Sequence, residues 1–118
     1  MKFVLFSLIM NLPNPVSGET FSDRQKFRNI LRQAEWAEKL GYDGYGVGER
    51  HGPPFLSSSP PVVLASIAAR TERIRLLTTA TVLSVLDPVR VAEDYATLDH
   101  LSGGRLDLII GKGNDPRH

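Results

Sequence analysis

The sequence has 118 residues, of which 42% are hydrophobic and 23% are charged, a composition typical of a single globular domain and not of a disordered chain. Its formal net charge of +1 and its scattered basic residues argue against a polyanion-binding protein, so we expect neither a nucleic-acid nor a membrane partner. The absence of cysteine excludes a disulfide scaffold, a thiolate zinc site and a cysteine nucleophile within these residues, and it suits a reducing cytoplasm.

The first predicted element is a short buried strand at residues 3–8. Its apolar run follows Lys2 and ends in NLPNP, where asparagine and proline interrupt regular structure. A lysine ahead of a short apolar run is also how an export signal begins, but no A-x-A cleavage pattern follows it here. We therefore expect a strand and a cytoplasmic protein.

A helix and a second strand are predicted after the proline-rich loop. Ser22 and Asp23 form a helix start, apolar residues recur at helical spacing up to Leu40, and Gly41 ends the helix. The second strand is predicted at residues 45–48, inside the stretch GYGVGERHGPPF. A dinucleotide-binding protein would place G-x-G-x-x-G directly after the first strand, so we interpret these alternating glycines as permitting close backbone approach.

The rest of the sequence continues the alternation of helix and strand. Small side chains at Ala65, Ala68 and Ala69 are predicted to share one side of the second helix and to let another helix come close. The order β-α-β-α-β-α-β predicts parallel strands, in either a doubly wound sheet or part of a (β/α)8 barrel. The later predicted elements are a helix at 62–71 opened by Ser59, Pro60 and Pro61, a strand at 75–82, a helix from Asp87 and Pro88 to the SGG of 102–104, and a strand at 106–110.

Three stretches of the sequence together resemble the bacterial-luciferase-like, flavin-dependent monooxygenase family. They are ERHG after the second strand, TTATVLSVLDPVR from the third strand into the third helix, and DHLSGGRLDLIIGKGN at the end, with DPVRVAEDYATLDHLSGGR the most specific block. The resemblance implies an α/β fold in which residues 1–118 are one domain, the first half of a (β/α)8 TIM barrel without its C-terminal half. A complete barrel needs about 250 residues, so the chain is expected to be a fragment, one half of a split enzyme, or a self-assembling half-barrel, and we favour the fragment.

The resemblance also implies a function. Members of the family use reduced FMN, supplied by a flavin reductase, or in some relatives the deazaflavin F420, together with O2 to oxygenate a small organic substrate. It implies a homodimer formed through the second and third helices. The alternative is a non-catalytic flavin-binding or assembly module that keeps the fold.

The candidate catalytic residues are Glu49, Arg50 and His51, directly after the second strand, where barrel enzymes build their sites. In luciferase the first of two histidines after the glutamate is the catalytic one; here that position is Arg50, and only the second histidine is present as His51. We therefore favour His51 over Arg50 as the acid, base or hydrogen-bond donor. The alternatives are a loop histidine bonded to a backbone carbonyl and a structural ion pair between Glu49 and Arg50.

The candidate cofactor-binding residues implied by the resemblance are Thr79, Ala80, Thr81, Lys112 and Gly113. Relatives have a non-proline cis peptide beneath the flavin ring where Thr79 and Ala80 stand, and a basic side chain on the flavin phosphate where Lys112 stands. A cation beside glycine amides suits a phosphate, and the alternative is a solvated lysine. Three scattered histidines predict no metal site.

Overall fold

The computed structural model describes residues 1–113, in which a parallel sheet is covered on one face by three helices. The β-α-β-α-β-α-β order predicted from the sequence is confirmed. No helix among these residues is both long and apolar enough to cross a membrane. The elements are β1 Val4–Ser7, α1 Asp23–Lys39, β2 Gly44–Val47, α2 Pro60–Ala68, β3 Arg75–Thr78, β4 Thr81–Val82, a 3-10 turn Leu83–Val85, α3 Pro88–Leu101, β5 Leu106–Asp107 and β6 Ile110–Gly111.

The strands β1-β2-β3-β5 form one sheet in that order, and all of them are parallel. Directly after β3 and β5 in the chain, β4 and β6 pair with each other in a second, two-stranded parallel sheet. Residues 46 and 77 are register partners across β2 and β3, and residues 77 and 107 are partners across β3 and β5. Because each helix connects two parallel strands, the loops that follow the strands all meet at the carboxyl edge of the sheet.

The helices begin where the sequence predicts them, since local capping groups set their starts. Ser22 Oγ accepts a hydrogen bond from the Gln25 backbone N–H at 3.1 Å, and Asp87 accepts one from the Val89 N–H at 2.9 Å. Pro88 occupies the first turn of α3, where its missing N–H costs nothing. Gly41, with φ of +85°, follows α1 in the left-handed conformation that ends helices.

The core lies between the sheet and the three helices. Tyr45 and Leu76 are fully buried on the helix-covered face of the sheet, and burial raises the pKa of Tyr45, whose hydroxyl donates to Gln33 Oε1. Each fully buried large aliphatic side chain here stabilises the fold by about 1.5–3 kcal/mol. The helical core residues are Ile30, Ala34, Ala37, Val63, Leu64, Ile67, Ala68, Val91, Tyr95 and Leu98.

Gly44 and Gly46 of β2, and Gly48 directly after it, lie on the opposite face of the sheet and allow the close backbone approach that the sequence predicts. A Cβ atom added at Gly46 would lie 2.6 Å from Thr79 Cγ2, and one at Gly48 would lie 2.7 Å from the Thr79 carbonyl oxygen. At Gly44 it would lie 2.6 Å from Leu77 Cδ1, so Leu77 fills the space that the missing side chain leaves. The neighbours of β2 can sit this close only because β2 carries glycine at these positions.

The predicted third and fourth strands are each interrupted in the structure. The strand expected at 75–82 divides into β3 and β4 around Thr79 and Ala80, and the strand expected at 106–110 divides into β5 and β6. β-branched and apolar runs predict extended backbone but carry no signal for where pairing stops. The pairing itself changes at these interruptions, from one sheet to the other.

The second helix also differs from its prediction. It ends at Ala68 rather than near Thr71, whose hydroxyl instead donates to the Ile67 carbonyl at 2.8 Å. Ala68 is buried in the core, whereas Ala69 is exposed and caps the helix, so these two alanines do not share one side of α2 as predicted. Helical spacing alone did not show which side of so short an apolar helix faces the sheet.

Arg105 is a buried cation that ties the amino end of the sheet together. Its guanidinium donates to the Thr71 hydroxyl at 2.8 Å and to backbone carbonyls of residues 68, 71, 74 and 102 at 2.6–3.2 Å. Several of these carbonyls lie at or just beyond the carboxyl end of α2, where the helix dipole favours positive charge. Arg105 therefore joins the loop after α2 to the start of β5.

Glu38 performs a similar role for the loop that leads into β3. Its carboxylate accepts hydrogen bonds from the backbone N–H groups of Glu72, Arg73 and Ile74 at 2.8–3.2 Å. Burial acts to raise the pKa of Glu38, but these three backbone donors, with help from the Arg73 charge, hold that pKa below its ordinary value. Glu38 thus connects the end of α1 to the segment directly before β3.

Candidate active site

Glu49, Arg50 and His51 lie where β2 ends, at the carboxyl edge of the sheet. Their backbone is held on both sides: the Glu49 N–H donates to the Ala80 carbonyl and the Arg50 N–H to the Ser57 carbonyl, each at 3.3 Å. The first bond ties them to the break between β3 and β4. The second closes the loop between β2 and α2, so the segment is positioned by its neighbours rather than left as an open turn.

Glu49 and His51 form a hydrogen-bonded pair. His51 Nε2 lies 2.7 Å from Glu49 Oε2, and because a carboxylate can only accept, the imidazole N–H is the donor. The Glu49 side chain is 1% exposed and the His51 side chain 38% exposed, so the carboxylate is enclosed while the ring reaches the surface. The Val82 N–H donates to the other carboxylate oxygen at 3.3 Å. The enclosed Glu49 carboxyl group thus fixes the orientation of the His51 ring.

A layer of hydroxyl groups lies behind Glu49, towards α3. Thr81 is fully buried, and its hydroxyl donates to the Tyr95 hydroxyl at 3.2 Å. Burial raises the pKa of Tyr95, the Thr81 hydrogen bond opposes this, and the negative charge of Glu49 acts in the same direction as burial. Tyr95 therefore stays a neutral phenol in this layer.

Arg50 turns towards the loop that follows it. Its guanidinium carbon lies 4.7 Å from the centre of the Phe55 ring, a cation–π distance. This loop contains a cis Pro53–Pro54 peptide bond and is held to the segment after β1, since the Leu56 N–H donates to the Ile9 carbonyl at 2.9 Å. Arg50 thus contacts Phe55, and its chain neighbour His51 contacts Glu49.

Thr79 and Ala80 are half-buried at the same edge, and the peptide bond between them is cis, as the family resemblance implies. The Thr79 N–H donates to the Val47 carbonyl, which continues the β2 pairing to this point. The Thr79 hydroxyl oxygen is buried and has no hydrogen-bond partner within residues 1–113. Buried hydroxyls are almost always paired, so this group retains unused hydrogen-bonding capacity at the carboxyl edge.

Lys112 and Gly113 follow β6 and end the described part of the chain. The Lys112 side chain is exposed, its carbonyl accepts a hydrogen bond from Ser84 Oγ at 2.9 Å, and Gly113 has φ of +79°. The pairing of β4 with β6 places these residues beside the 3-10 turn that follows β4. The structure thus puts a cation and glycine backbone at the same edge as Thr79 and His51.

Contacts and strand pairing place all the predicted site residues at this edge, but two of them differ in accessibility from the others. The side chains of Thr81 and Glu49 are enclosed, whereas His51, Lys112 and the Thr79–Ala80 segment reach the surface to different extents. Within residues 1–113 no three histidine or acidic side chains are grouped so that they could hold a metal ion.

A sequence profile of the luciferase-like monooxygenases matches residues 1–118. The chain belongs to the luciferase-like monooxygenase family. A relative named 4-hydroxyprotoasukamycin monooxygenase, from Streptomyces nodosus subsp. asukaensis, is 42% identical over 87 residues, which are 73% of this chain and 24% of that protein. The luciferase-like monooxygenase of Escherichia coli K12 is 35% identical over 119 residues, 98% of this chain and 35% of that protein. This luciferase-like chain spans about a third or less of the lengths of these relatives.

Solved structures with the same fold extend this result. Monooxygenase RslO1 from Streptomyces bottropensis superposes with a TM-score of 0.86 at 34% identity, over 99% of this chain and 35% of that one. The FMN complex of the oxygenating constituent of 3,6-diketocamphane monooxygenase from Pseudomonas putida gives 0.84 at 25% identity, over 99% and 31%. A coenzyme F420 dependent tetrahydromethanopterin reductase from Methanopyrus kandleri gives 0.72 at 25% identity, over 96% and 27%. Two of these three structures are therefore an FMN complex and a coenzyme F420 dependent enzyme.

The residues at the carboxyl edge fit such a cofactor. The unpartnered Thr79 hydroxyl supplies a hydrogen-bonding group beside a strand that has no side chains at Gly46 and Gly48. Lys112 supplies a cation next to glycine backbone, a combination that suits a phosphate. The donor set is thus appropriate for a planar heteroaromatic ring that carries a phosphate group.

Proposed function

We propose that the protein to which these residues belong is a flavin-dependent monooxygenase that uses reduced FMN and O2 to oxygenate a small organic substrate. The observation that carries this proposal is the Glu49–His51 pair beside the Thr79–Ala80 segment, at the carboxyl edge of a luciferase-like sheet. Barrel enzymes assemble their reaction centres from the loops at this edge.

Each residue has a defined role in this proposal. Bound reduced flavin supplies the electrons with which O2 is activated. Thr79 and Ala80 support the flavin ring, Lys112 and the Gly113 backbone hold its phosphate, and Thr81 keeps the segment in place through its bond to Tyr95. His51 donates or accepts the proton at the reacting atoms, and Glu49 orients the His51 ring.

Arg50 contributes through its guanidinium, which lies 4.7 Å from the centre of the Phe55 ring. We propose that it shapes the wall of the substrate pocket. The family resemblance places luciferase's catalytic histidine at this position, so the reaction carried out here differs from light emission.

FMN is the proposed cofactor, and F420 is the alternative. The FMN complex of the 3,6-diketocamphane enzyme gives a higher TM-score than the F420-dependent reductase, at the same identity. Reduced FMN would be delivered by a separate flavin reductase.

We also propose a cytoplasmic homodimer that associates through α2 and α3, whose exposed residues include Val62 and Val89.

The second candidate function is a flavin-binding or assembly module without turnover. One observation favours it: Arg50 stands at the position where the resemblance places luciferase's catalytic histidine. Such a module would keep the flavin contacts of Thr79 and Lys112 but would form no product.

Titration of the purified chain with FMN and with riboflavin, followed by flavin fluorescence quenching, tests both candidates. We expect FMN to bind more tightly than riboflavin, and Lys112→Gln to remove that preference while the matched variant Lys2→Gln retains it. Absence of binding by either flavin rules out both functions for this chain. If FMN binds, substrate oxygenation with FMNH2 and O2 supports the enzyme, whereas binding without product supports the module.

A further inference from the structure

The outer face of α1 carries a row of arginines that the sequence analysis treated as scattered charge. Arg24, Arg28 and Arg32 follow one another at four-residue spacing, and Trp36 takes the next position in the same row. Residues four apart on a helix are neighbours, so these side chains form a continuous ridge about 12 Å long between the first and last arginine. We call Arg24, Arg28, Arg32 and Trp36 the arginine row.

All four side chains of the row are exposed, and Trp36 is 60% exposed. Within residues 1–113 none of the three arginines makes an ion pair or a side-chain hydrogen bond. Lys39 adds a further positive charge, with its ammonium 5.5 Å from the centre of the Trp36 ring. Like charges at this spacing destabilise a helix, so the row does not serve the stability of α1.

The acidic residues of α1 that could neutralise the row bind other groups instead. Glu35 pairs with Arg70 of the segment after α2 at 3.1 Å. Glu38 binds the backbone N–H groups of residues 72–74, and Asp23 accepts a hydrogen bond from Asn11 at 3.0 Å. The fold therefore directs every carboxylate of α1 away from the row and leaves a positive ridge.

We propose that the arginine row is a docking surface for an acidic helix of a partner protein. A helix with carboxylates at four-residue spacing repeats its charges at the same interval as the row, so each arginine meets one carboxylate. Arginine and tryptophan are the residues most enriched among the energetically important positions of protein interfaces. The net charge of only +1 disfavours a nucleic acid or a lipid surface, which respond to the field of the whole protein.

The test uses Trp36, the single tryptophan of the sequence, as its own reporter. The probe is a capped, alanine-rich helical peptide with three glutamates at four-residue spacing, and its control is a peptide of the same composition with the glutamates adjacent. We expect the spaced peptide to change the Trp36 fluorescence and to bind more weakly as salt is raised, with the permuted peptide binding more weakly throughout. Equal binding of the two peptides overturns the proposal.

Two charge-matched double variants locate the binding surface. Arg28→Gln with Arg32→Gln removes two positive charges from the row, and Lys2→Gln with Arg73→Gln removes two exposed charges elsewhere. We expect the first pair to weaken binding of the spaced peptide roughly tenfold and the second to leave it nearly unchanged. Equal weakening by both pairs would show attraction to net charge alone and would overturn the proposal.

Two further measurements complete the test. The melting temperature of the row variant should equal or exceed that of the unchanged chain, because the variant relieves like-charge repulsion. A clear fall would assign the arginines to structure instead. Tighter binding of a single-stranded oligonucleotide or of phosphatidylserine vesicles than of the spaced peptide would overturn the choice of a protein partner.

Discussion

The two ends of the sheet are built in different ways. At the amino end, Glu38 binds three backbone N–H groups, Arg105 binds a hydroxyl and four carbonyls, and Arg75 forms a two-point pair with Asp107 at 2.8 Å. At the carboxyl end lie the two buried side-chain polar atoms without a partner in residues 1–113, the hydroxyls of Ser57 and Thr79. The amino end therefore stabilises the fold, and the carboxyl end keeps unused polar groups for a ligand.

The largest expected effect is a loss of stability on removing the Arg105 guanidinium at the amino end of the sheet. Arg105→Met keeps most of the side-chain volume but leaves the Thr71 hydroxyl and the backbone carbonyls without their donor, so the free energy of unfolding should fall by about 3 kcal/mol or more. Urea denaturation of the variant and of the unchanged chain measures this. Arg90→Met, which removes an exposed arginine paired with Asp94, is the control and should change little. Equal effects of the two variants would contradict the division between the ends.

The next effect concerns chemistry at the carboxyl end. His51→Ala should lower the turnover of the flavin-loaded protein by about 100-fold or more, because the acid or base is lost. The free energy of unfolding should fall by about 1–3 kcal/mol, because the enclosed Glu49 carboxylate loses the hydrogen bond from the His51 ring. Steady-state kinetics and urea denaturation separate the two results. Arg50→Gln is the neighbouring control, and a larger loss of turnover in that variant would reverse the assignment of His51 and Arg50.

A smaller effect sharpens the comparison by adding one methyl group. Gly48→Ala places a Cβ 2.6 Å from Leu8 Cδ2 and 2.7 Å from the Thr79 carbonyl oxygen, which cannot move without moving the strand. We expect a loss of about 2 kcal/mol of stability together with weaker flavin binding, measured by urea denaturation and fluorescence titration. Gly111→Ala is the matched control, because its Cβ would meet Ala80 Cβ at 3.3 Å. Unchanged flavin binding in Gly48→Ala would show that the backbone at the end of β2 does not contribute to the flavin site.

The smallest effect depends on pH. The pKa of Glu38 in the folded protein lies below its ordinary value of 4.5, so its contribution is fully present above that pH and is lost as pH falls through the lower folded value. Glu38→Gln should therefore cost about 1 kcal/mol at neutral pH, as the loss of a capping carboxylate does, and almost nothing in strong acid. Urea denaturation at both pH values measures the difference. Glu93→Gln, at an exposed position of α3, is the control variant.

Part of the candidate site could be read from the sequence. Residues two apart in an extended chain point to the same side, so the spacing of Glu49 and His51 already allows them to meet. The sequence interpretation paired Glu49 with Arg50 as its structural alternative, whereas the structure pairs Glu49 with His51. The layer of Thr81 and Tyr95 was not predicted, because a hydroxyl contact between a strand and a helix has no local sequence signal.

The sequence by itself determined the alternation of strands and helices, the helix starts at Ser22 and Asp87, and the glycine face of β2, since capping and steric limits act over a few residues. Only the tertiary structure decided where β3 gives way to β4, which side of α2 is buried, and how Arg105 is used. It also decided that the carboxylates of α1 turn away from the arginine row. The contacts of Glu38, Arg105 and Glu35 join residues more than thirty positions apart in the chain, and no local pattern specifies such partners.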